Sequence, residues 1–212
     1  MLPLLTSVSL DKGNAVESER KRQILDAAER LFSERGYHGA SMRDLARELD
    51  LKGGSLYSHI DGKEELLWRV LERAADEFLG TLQPIVASPG SADIRLRAAI
   101  HAHIRVITRN LDASTVYFHE WKFLAEPRRS AFLERRDHYE QLLRSLVAEA
   151  VSSGDFYEVE PKWATLLILS ASNWLYQWYR TDGALAPDEI AERFIEMIFQ
   201  GMQRPEALLI EE

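Results

Sequence analysis

SMRDLARELDLKGGSLYSHI, residues 41–60, holds two short helical patterns separated by a corner. In 41–49, Met42, Leu45, Ala46 and Leu49 recur at helical spacing and make an inward stripe. Ser41 and Asp44 stand three apart, the spacing of a capping box. A three-residue corner, DLK at 50–52, leads to a second helix expected from about Gly54 to Ile60, with Leu56 and Ile60 inward at i, i+4. That helix opens on two glycines, Gly53 and Gly54, although glycine costs about 1 kcal/mol relative to alanine inside a helix. Gly53 is acceptable as an N-cap, where glycine loses little.

Two short helices joined by a tight corner and packed on a longer one make a helix-turn-helix, whose second helix enters the DNA major groove. The longer helix is expected over 18–36, with Ile24, Ala28, Leu31 and Phe32 inward and Gly36 as its stop. The groove-facing set is then Lys52, Gly53, Ser55, Tyr57, Ser58 and His59. Glycines at the start let the backbone approach the duplex, where free N–H groups and the positive dipole end suit a phosphate. The plainer reading makes GGS a loop and the Tyr/Ser/His run a solvated face. Beyond Asp61 and Gly62, a long helix starts at Lys63, with Leu66, Leu67, Val70 and Leu71 inward.

Further helices are expected near 92–110, 114–125, 128–152, 160–180 and 187–202, punctuated by Asp112, Pro127, Gly154, Pro161, Gly183 and Pro187. No alternating strand pattern and no internal repeat is present. The class is all-α: an N-terminal three-helix helix-turn-helix domain followed by a larger C-terminal helical domain. The expected boundaries are a disordered leader over 1–16, the DNA-binding domain over 17–63, the second domain over 64–204 and a tail over 205–212.

Composition narrows the function. The 212 residues are 46% apolar and 28% charged and contain no cysteine, which excludes disulfides and thiolate metal sites and suits a reducing cytoplasm. The first ten residues lack the basic region of a signal peptide. The apolar stretch 163–179 is short and is interrupted by Ser170, Ser172, Asn173 and Gln177, too polar for a membrane span. Net charge is −8, of which residues 1–75 carry only −1, leaving room for local positive charge at the N-terminal end. No triad, phosphate-cradling glycine loop or carboxylate pair has catalytic spacing, so no enzyme and no cofactor is expected. His101 and His103 lie two apart on a helix and point to different sides, which argues against a metal site.

The segment 160–180 is apolar nearly all round and is expected to be buried on every side. Asn173, Gln177 and Arg180 recur along it, Trp174 and Trp178 form a second stripe, and Trp121 and Trp163 add aromatic area. An apolar cavity with a few polar groups suits a small molecule. The same tryptophans equally suit a core or a dimer interface. Ile190, Phe194, Ile198 and Gly201 make one stripe of 187–202, the expected partner half of a four-helix dimer interface. Arg128, Arg129, Arg135 and Arg136 fall at i, i+7 and could meet phosphates bidentately, or else pair with Glu134, Asp137 and Glu140.

Over its whole length, RQILDAAERLFSERGYHGASMRDLARELDLKGGSLYSHIDGKEELLWRVLE (22–72) resembles the DNA-binding domain of TetR-type transcriptional regulators. The matching features include Gly36-Tyr37, Ser41, Asp44-Leu45-Ala46, Gly54, Leu56, Tyr57 and Lys63-Glu64. The resemblance implies that Ser41, Tyr57, His59 and Lys63 hold phosphates of double-stranded DNA while the second helix reads bases. Three positions depart from the pattern. Asp50 replaces a glycine, Lys52 a Ser or Thr, and Gly53 a lysine or polar residue. The capping hydroxyl is therefore missing, and base reading falls to Lys52, Ser55 and Arg43.

FHEWKFL (118–124) and NWLYQWYR (173–180) are similar to the C-terminal domain of a TetR subgroup that controls fatty-acid, phenylacetate and sterol breakdown in response to acyl-CoA thioesters. That similarity implies an acyl-CoA effector, with Trp121, Arg128, Arg129, Asn173, Trp174, Gln177, Trp178 and Arg180 as its contacts. The resulting expectation is a homodimeric repressor, without membrane attachment, on a near-palindromic operator with half-sites ~34 Å apart. The alternatives are a hydrophobic drug or aromatic acid as ligand, or a helical ligand-binding or protein-interaction module whose helix-turn-helix has no specific site.

Overall fold

The computed structural model describes residues 8–51 and 53–200, and every regular element among them is helical. The chain forms two compact units: one holds the residues up to Ala74 together with Asp112–Phe132, the other Ala75–Leu111 together with the residues from Leu133 onward.

In the first unit, α1 (Val8–Gly39) starts inside the stretch expected as a leader; residues 1–7 lie outside the described ones. Helical geometry breaks at Gly36, at φ 68° and ψ 167°, a conformation glycine takes without penalty. Ile24, Ala27, Ala28, Leu31 and Phe32 of α1 are buried. α2 (Met42–Glu48) packs on α1 and on α3 (Gly53–Tyr57), and the corner between α2 and α3 turns at Asp50 with φ 51°. Aspartate tolerates that left-handed angle, which is why the missing glycine is no obstacle.

α3 is shorter than expected, ending at Tyr57 rather than Ile60. The Ser58 hydroxyl donates to the Ser55 carbonyl (2.7 Å) and the His59 N–H turns back to Leu56 O (3.0 Å). Side-chain competition of this kind closes a helix early. Leu56 and Ile60 are buried all the same. α4 (Lys63–Ala87) begins after the Asp61 N–H has bonded the Glu65 carboxylate (2.7 Å), and buries Leu66, Leu67, Val70 and Leu71 in this unit. Each fully buried side chain of this size is worth about 1.5–3 kcal/mol. α6 (Leu111–His119) starts earlier than expected and is followed by a 3-10 turn, Trp121–Phe123.

In the second unit, α5 (Ala92–Arg109) lies under α8 (Pro161–Asn173), α9 (Leu175–Trp178) and α10 (Pro187–Gln200). α7 (Arg128–Ser152) adds Tyr139, Leu143, Leu146 and Val147 to the buried set. Two expectations are corrected here. The segment 160–180 is not one helix buried all round: it breaks at Trp174, and of its side chains only those of Thr165, Ile168, Ser172 and Leu175 are fully buried. Trp163, Leu167, Trp174 and Trp178 are 69%, 56%, 60% and 45% exposed, because the single chain offers core to one side only.

Ile190 is the second correction. It is 2% exposed and buried with Ala191 and Ile195 as α10 packs on α5, so it cannot line an outer face. Phe194 and Ile198 are half-buried, and Gly201 lies outside the described residues. No helix among the described residues is long and apolar enough to cross a membrane.

Candidate nucleic-acid interface

The Ser41 hydroxyl accepts the Asp44 N–H (3.1 Å) at the start of α2 and donates to Asp44 Oδ2 (2.5 Å). That hydroxyl above all, with Arg47, Arg35 and the Ser41 N–H, holds the Asp44 carboxyl below its usual range. The Ser41–Asp44 pair read from the sequence is thus closed, with both the Asp44 N–H and its carboxylate bonded to the Ser41 hydroxyl. Arg47 and Arg35 are ion-paired to Asp44, and Arg30 to Glu48. Arg43 and Lys63 have no carboxylate partner among the described residues.

Those two cations share one place. An open concavity of about 830 Å³ is lined by Ser41, Met42, Arg43, Arg47, Tyr57 and Lys63, among others. Tyr57 is 54% exposed at the end of α3. The Lys63 ammonium sits 4.3 Å from the centroid of the Tyr37 ring, a cation–π contact, and its burial lowers its pKa. Four of the ten residues expected to contact DNA, namely Ser41, Arg43, Tyr57 and Lys63, therefore meet on one surface. Ser55 and Ser58 are exposed on α3 and the turn after it, His59 is half-buried, and Lys52 lies outside the described residues.

Gly54 needs a reason of its own. It is not among the glycines at positive φ, and a Cβ placed on it meets nothing within 4 Å. Neither backbone conformation nor packing of the free protein demands a glycine there. The start of α3 is open on that side.

The expected effector residues are divided between the two units. Trp121, Arg128 and Arg129 belong to the first; Arg128 pairs with Glu64 (2.5 Å) and Arg129 with Glu126 (2.8 Å). Asn173, Trp174, Gln177, Trp178 and Arg180 belong to the second, where Trp174, Gln177, Trp178 and Arg180 are exposed and Arg180 pairs with Asp182 (3.0 Å). Arg135 is ion-paired to Asp76 rather than to any acidic neighbour on its own helix. Asn173 alone reaches inward: its Oδ1 lies 2.9 Å from His103 Nε2, and His103 Nδ1 lies 2.8 Å from the Tyr139 hydroxyl. No sequence pattern hinted at this buried chain, because His103 read as one of two ordinary histidines. Ser172 Oγ, also buried, has no hydrogen-bond partner among the described residues.

Burial pushes the His103 imidazole down to about 4, with the Asn173 contact opposing. The group is therefore neutral in the fold, whereas in the unfolded chain it takes a proton below about 6.5. A depressed folded pKa means that stability is held above about pH 6.5 and is lost as pH falls towards 4, by roughly 3 kcal/mol in all. A His103→Gln variant is expected to lack this component. Urea unfolding of both proteins at pH 7 and pH 5 reads it, and parallel pH curves would contradict it.

A capped helix-turn-helix with Arg43 and Lys63 on one open surface has the form of a DNA-binding regulator. Comparison with known proteins agrees. Residues 24–70 match the bacterial regulatory proteins of the tetR family, and residues 89–202 the tetracyclin repressor-like C-terminal domain. The chain belongs to the TetR family.

It is 28% identical over 191 residues to the HTH-type transcriptional repressor KstR2 of Rhodococcus jostii (strain RHA1), covering 89% of this chain and 94% of that one. Among solved structures it is similar to the TetR family regulator PfmR from Thermus thermophilus, at 30% identity and a TM-score of 0.80, over 85% of this chain and 99% of that chain. It is also similar to AibR, solved in complex with isovaleryl coenzyme A and operator DNA, at 30% identity and a TM-score of 0.79, over 85% and 98%.

Proposed function

We propose that this protein is a homodimeric cytoplasmic repressor that binds a near-palindromic operator and leaves it on binding an acyl-CoA thioester. The observation that carries the DNA half is the concavity where Arg43 and Lys63, free of carboxylates among the described residues, stand with Ser41 and Tyr57. Ser41, Tyr57, His59 and Lys63 hold phosphates; Arg43, Lys52 and Ser55 reach base edges; Gly53 and Gly54 admit the backbone to the groove. DNA binding is assigned to residues 17–63, ligand binding and dimerisation to 64–204.

The effector half is supported by the likeness to AibR, whose structure holds isovaleryl coenzyme A, and repression by the likeness to KstR2. Within the second unit Asn173 reads the ligand's carbonyl, a role supported by its inward amide, whose Oδ1 meets buried His103. The exposed apolar face of Trp163, Leu167, Trp174 and Trp178, with Met197 of α10, is the dimer surface. Release requires that the effector bind the DNA-free conformation more tightly than the DNA-bound one.

The deciding experiment titrates the protein onto DNA flanking its own gene, with a panel of acyl-CoAs and with free CoA. Release by one acyl-CoA class but not by CoA supports the whole reading. Specific binding that no thioester disturbs removes the effector, and absence of specific binding removes the operator. Two variants separate contact types. Lys63→Ala is expected to weaken binding to all sequences and lower the salt slope by about 1, as loss of a phosphate contact does. Arg43→Ala is expected to cost about 1–3 kcal/mol at the operator and to relax its sequence preference.

A further inference from the structure

Lys63 carries a long flexible side chain, yet it has no carboxylate to hold it among the described residues. What holds it is the Tyr37 ring, and what holds the ring comes from far along the chain. Phe123 stacks on Tyr37 at 5.4 Å between centroids and 15° between planes, and the His38 ring meets Phe123 edge-on at 4.4 Å. The Tyr37 N–H donates to Glu120 Oε2 (2.6 Å), 83 residues away, just past the Gly36 kink.

A second tie acts next door. Glu64 follows Lys63 in the first turn of α4, and its carboxylate would compete for the ammonium. Arg128 takes that carboxylate instead (2.5 Å). The stretch 120–128 thus fixes the ring that carries Lys63 and occupies the neighbouring acid.

We infer that Phe123, acting through Tyr37, is a positioning residue for Lys63, so that part of the DNA contact is set by a segment outside the helix-turn-helix. The inference rests on the reading of Lys63 as a phosphate contact. It assigns Glu120 the task of fixing the Tyr37 backbone and Arg128 that of keeping Glu64 from Lys63. The ammonium is then presented to the concavity before DNA arrives, so less side-chain freedom is lost on binding.

The test uses the full-length protein on DNA flanking its own gene, with salt-dependent affinities for wild type, Phe123→Leu, Phe123→Tyr, Lys63→Ala and the double variant Phe123→Leu/Lys63→Ala. Phe123→Leu is expected to bind about fivefold more weakly, a loss the size of a cation–π contact, with a lower salt slope. Phe123→Tyr keeps the stack and is expected to restore wild-type binding, which excludes a folding defect. Lys63→Ala should add little in the Phe123→Leu background. Wild-type affinity for Phe123→Leu, or losses that simply multiply, would overturn the proposal.

A DNA-free measurement separates this proposal from the regulator reading. The Lys63 ε-methylene, lying over an aromatic ring, is expected to resonate upfield in the wild-type proton NMR spectrum and to move towards its ordinary position in Phe123→Leu. The same upfield shift in both proteins overturns the positioning role even if no operator is found. Specific DNA binding that is absent while the shift behaves as expected removes the regulator reading alone.

Discussion

A Leu167→Glu protein is expected to stay folded, run as a monomer and lose operator binding by about two to three orders of magnitude, the avidity that a second half-site supplies. Leu167 is 56% exposed in the single chain, so a carboxylate there disturbs no core and the helices are expected to remain. It is flanked on the same outward side by Trp163, Trp174 and Trp178, all large, apolar and open to water. Covering each such side chain with a second copy is worth about 1.5–3 kcal/mol before the costs of association. A carboxylate in the middle of that patch would be desolvated without a partner, which commonly costs several kcal/mol.

A dimer holding two recognition elements also gains effective concentration at the second half-site, on the order of 10²–10⁴ in avidity. Monomerisation removes it. Light scattering on the eluting protein and a gel-shift titration read both effects. A variant that still dimerises places the interface elsewhere, and a monomer that keeps full operator affinity disproves the two-half-site reading.

Gly54 is expected to give opposite signs in stability and in DNA binding. A Cβ placed there meets nothing within 4 Å, and the residue has no positive φ. Gly54→Ala should therefore stabilise the free protein by about 0.5–1 kcal/mol, by restricting the unfolded chain and favouring the helix. Gly54→Leu should fold equally well yet bind the operator at least about 100-fold more weakly, because its side chain occupies the space that the duplex needs; such a loss corresponds to about 2.7 kcal/mol. Thermal melts and operator titrations decide the matter. An unchanged operator affinity for Gly54→Leu would mean that the start of α3 stays clear of DNA.

Much of the candidate DNA-binding surface is legible in the sequence. The Ser41–Asp44 cap, the tight corner with Asp50 at positive φ, the stop at Gly36 and the inward Leu56 and Ile60 follow from interactions within about four residues. Helical period and capping chemistry report such contacts directly. The early end of α3 is not legible in the sequence, because a serine hydroxyl decides it and Ser58 suits a helix or a turn equally well.

The residues expected to meet an effector were less legible. The segment 160–180 is apolar on every side, and a pattern with no polar face carries no direction; only packing against α5 selected Ile168, Ser172 and Leu175 for the core and sent Trp163, Leu167, Trp174 and Trp178 outward. Ile190 belonged to the same apolar stripe as Phe194 and Ile198, and depth on that stripe depends on a helix nearly ninety residues earlier.

Most of the helices, the Ser41 cap, the stop at Gly36, the helix-turn-helix and the membership of the family are written in short-range spacing and residue chemistry, so the chain could be read for them directly. Long-range packing was needed to settle which cations remain unpaired among the described residues, that Lys63 rests on Tyr37 beneath the reach of Phe123, and that Asn173 turns to a buried histidine. Those outcomes depend on partners 26 to 86 positions away in the chain, where several acids and rings compete for each cation. The choice among them follows from the summed packing of the whole unit, and no local pattern records it.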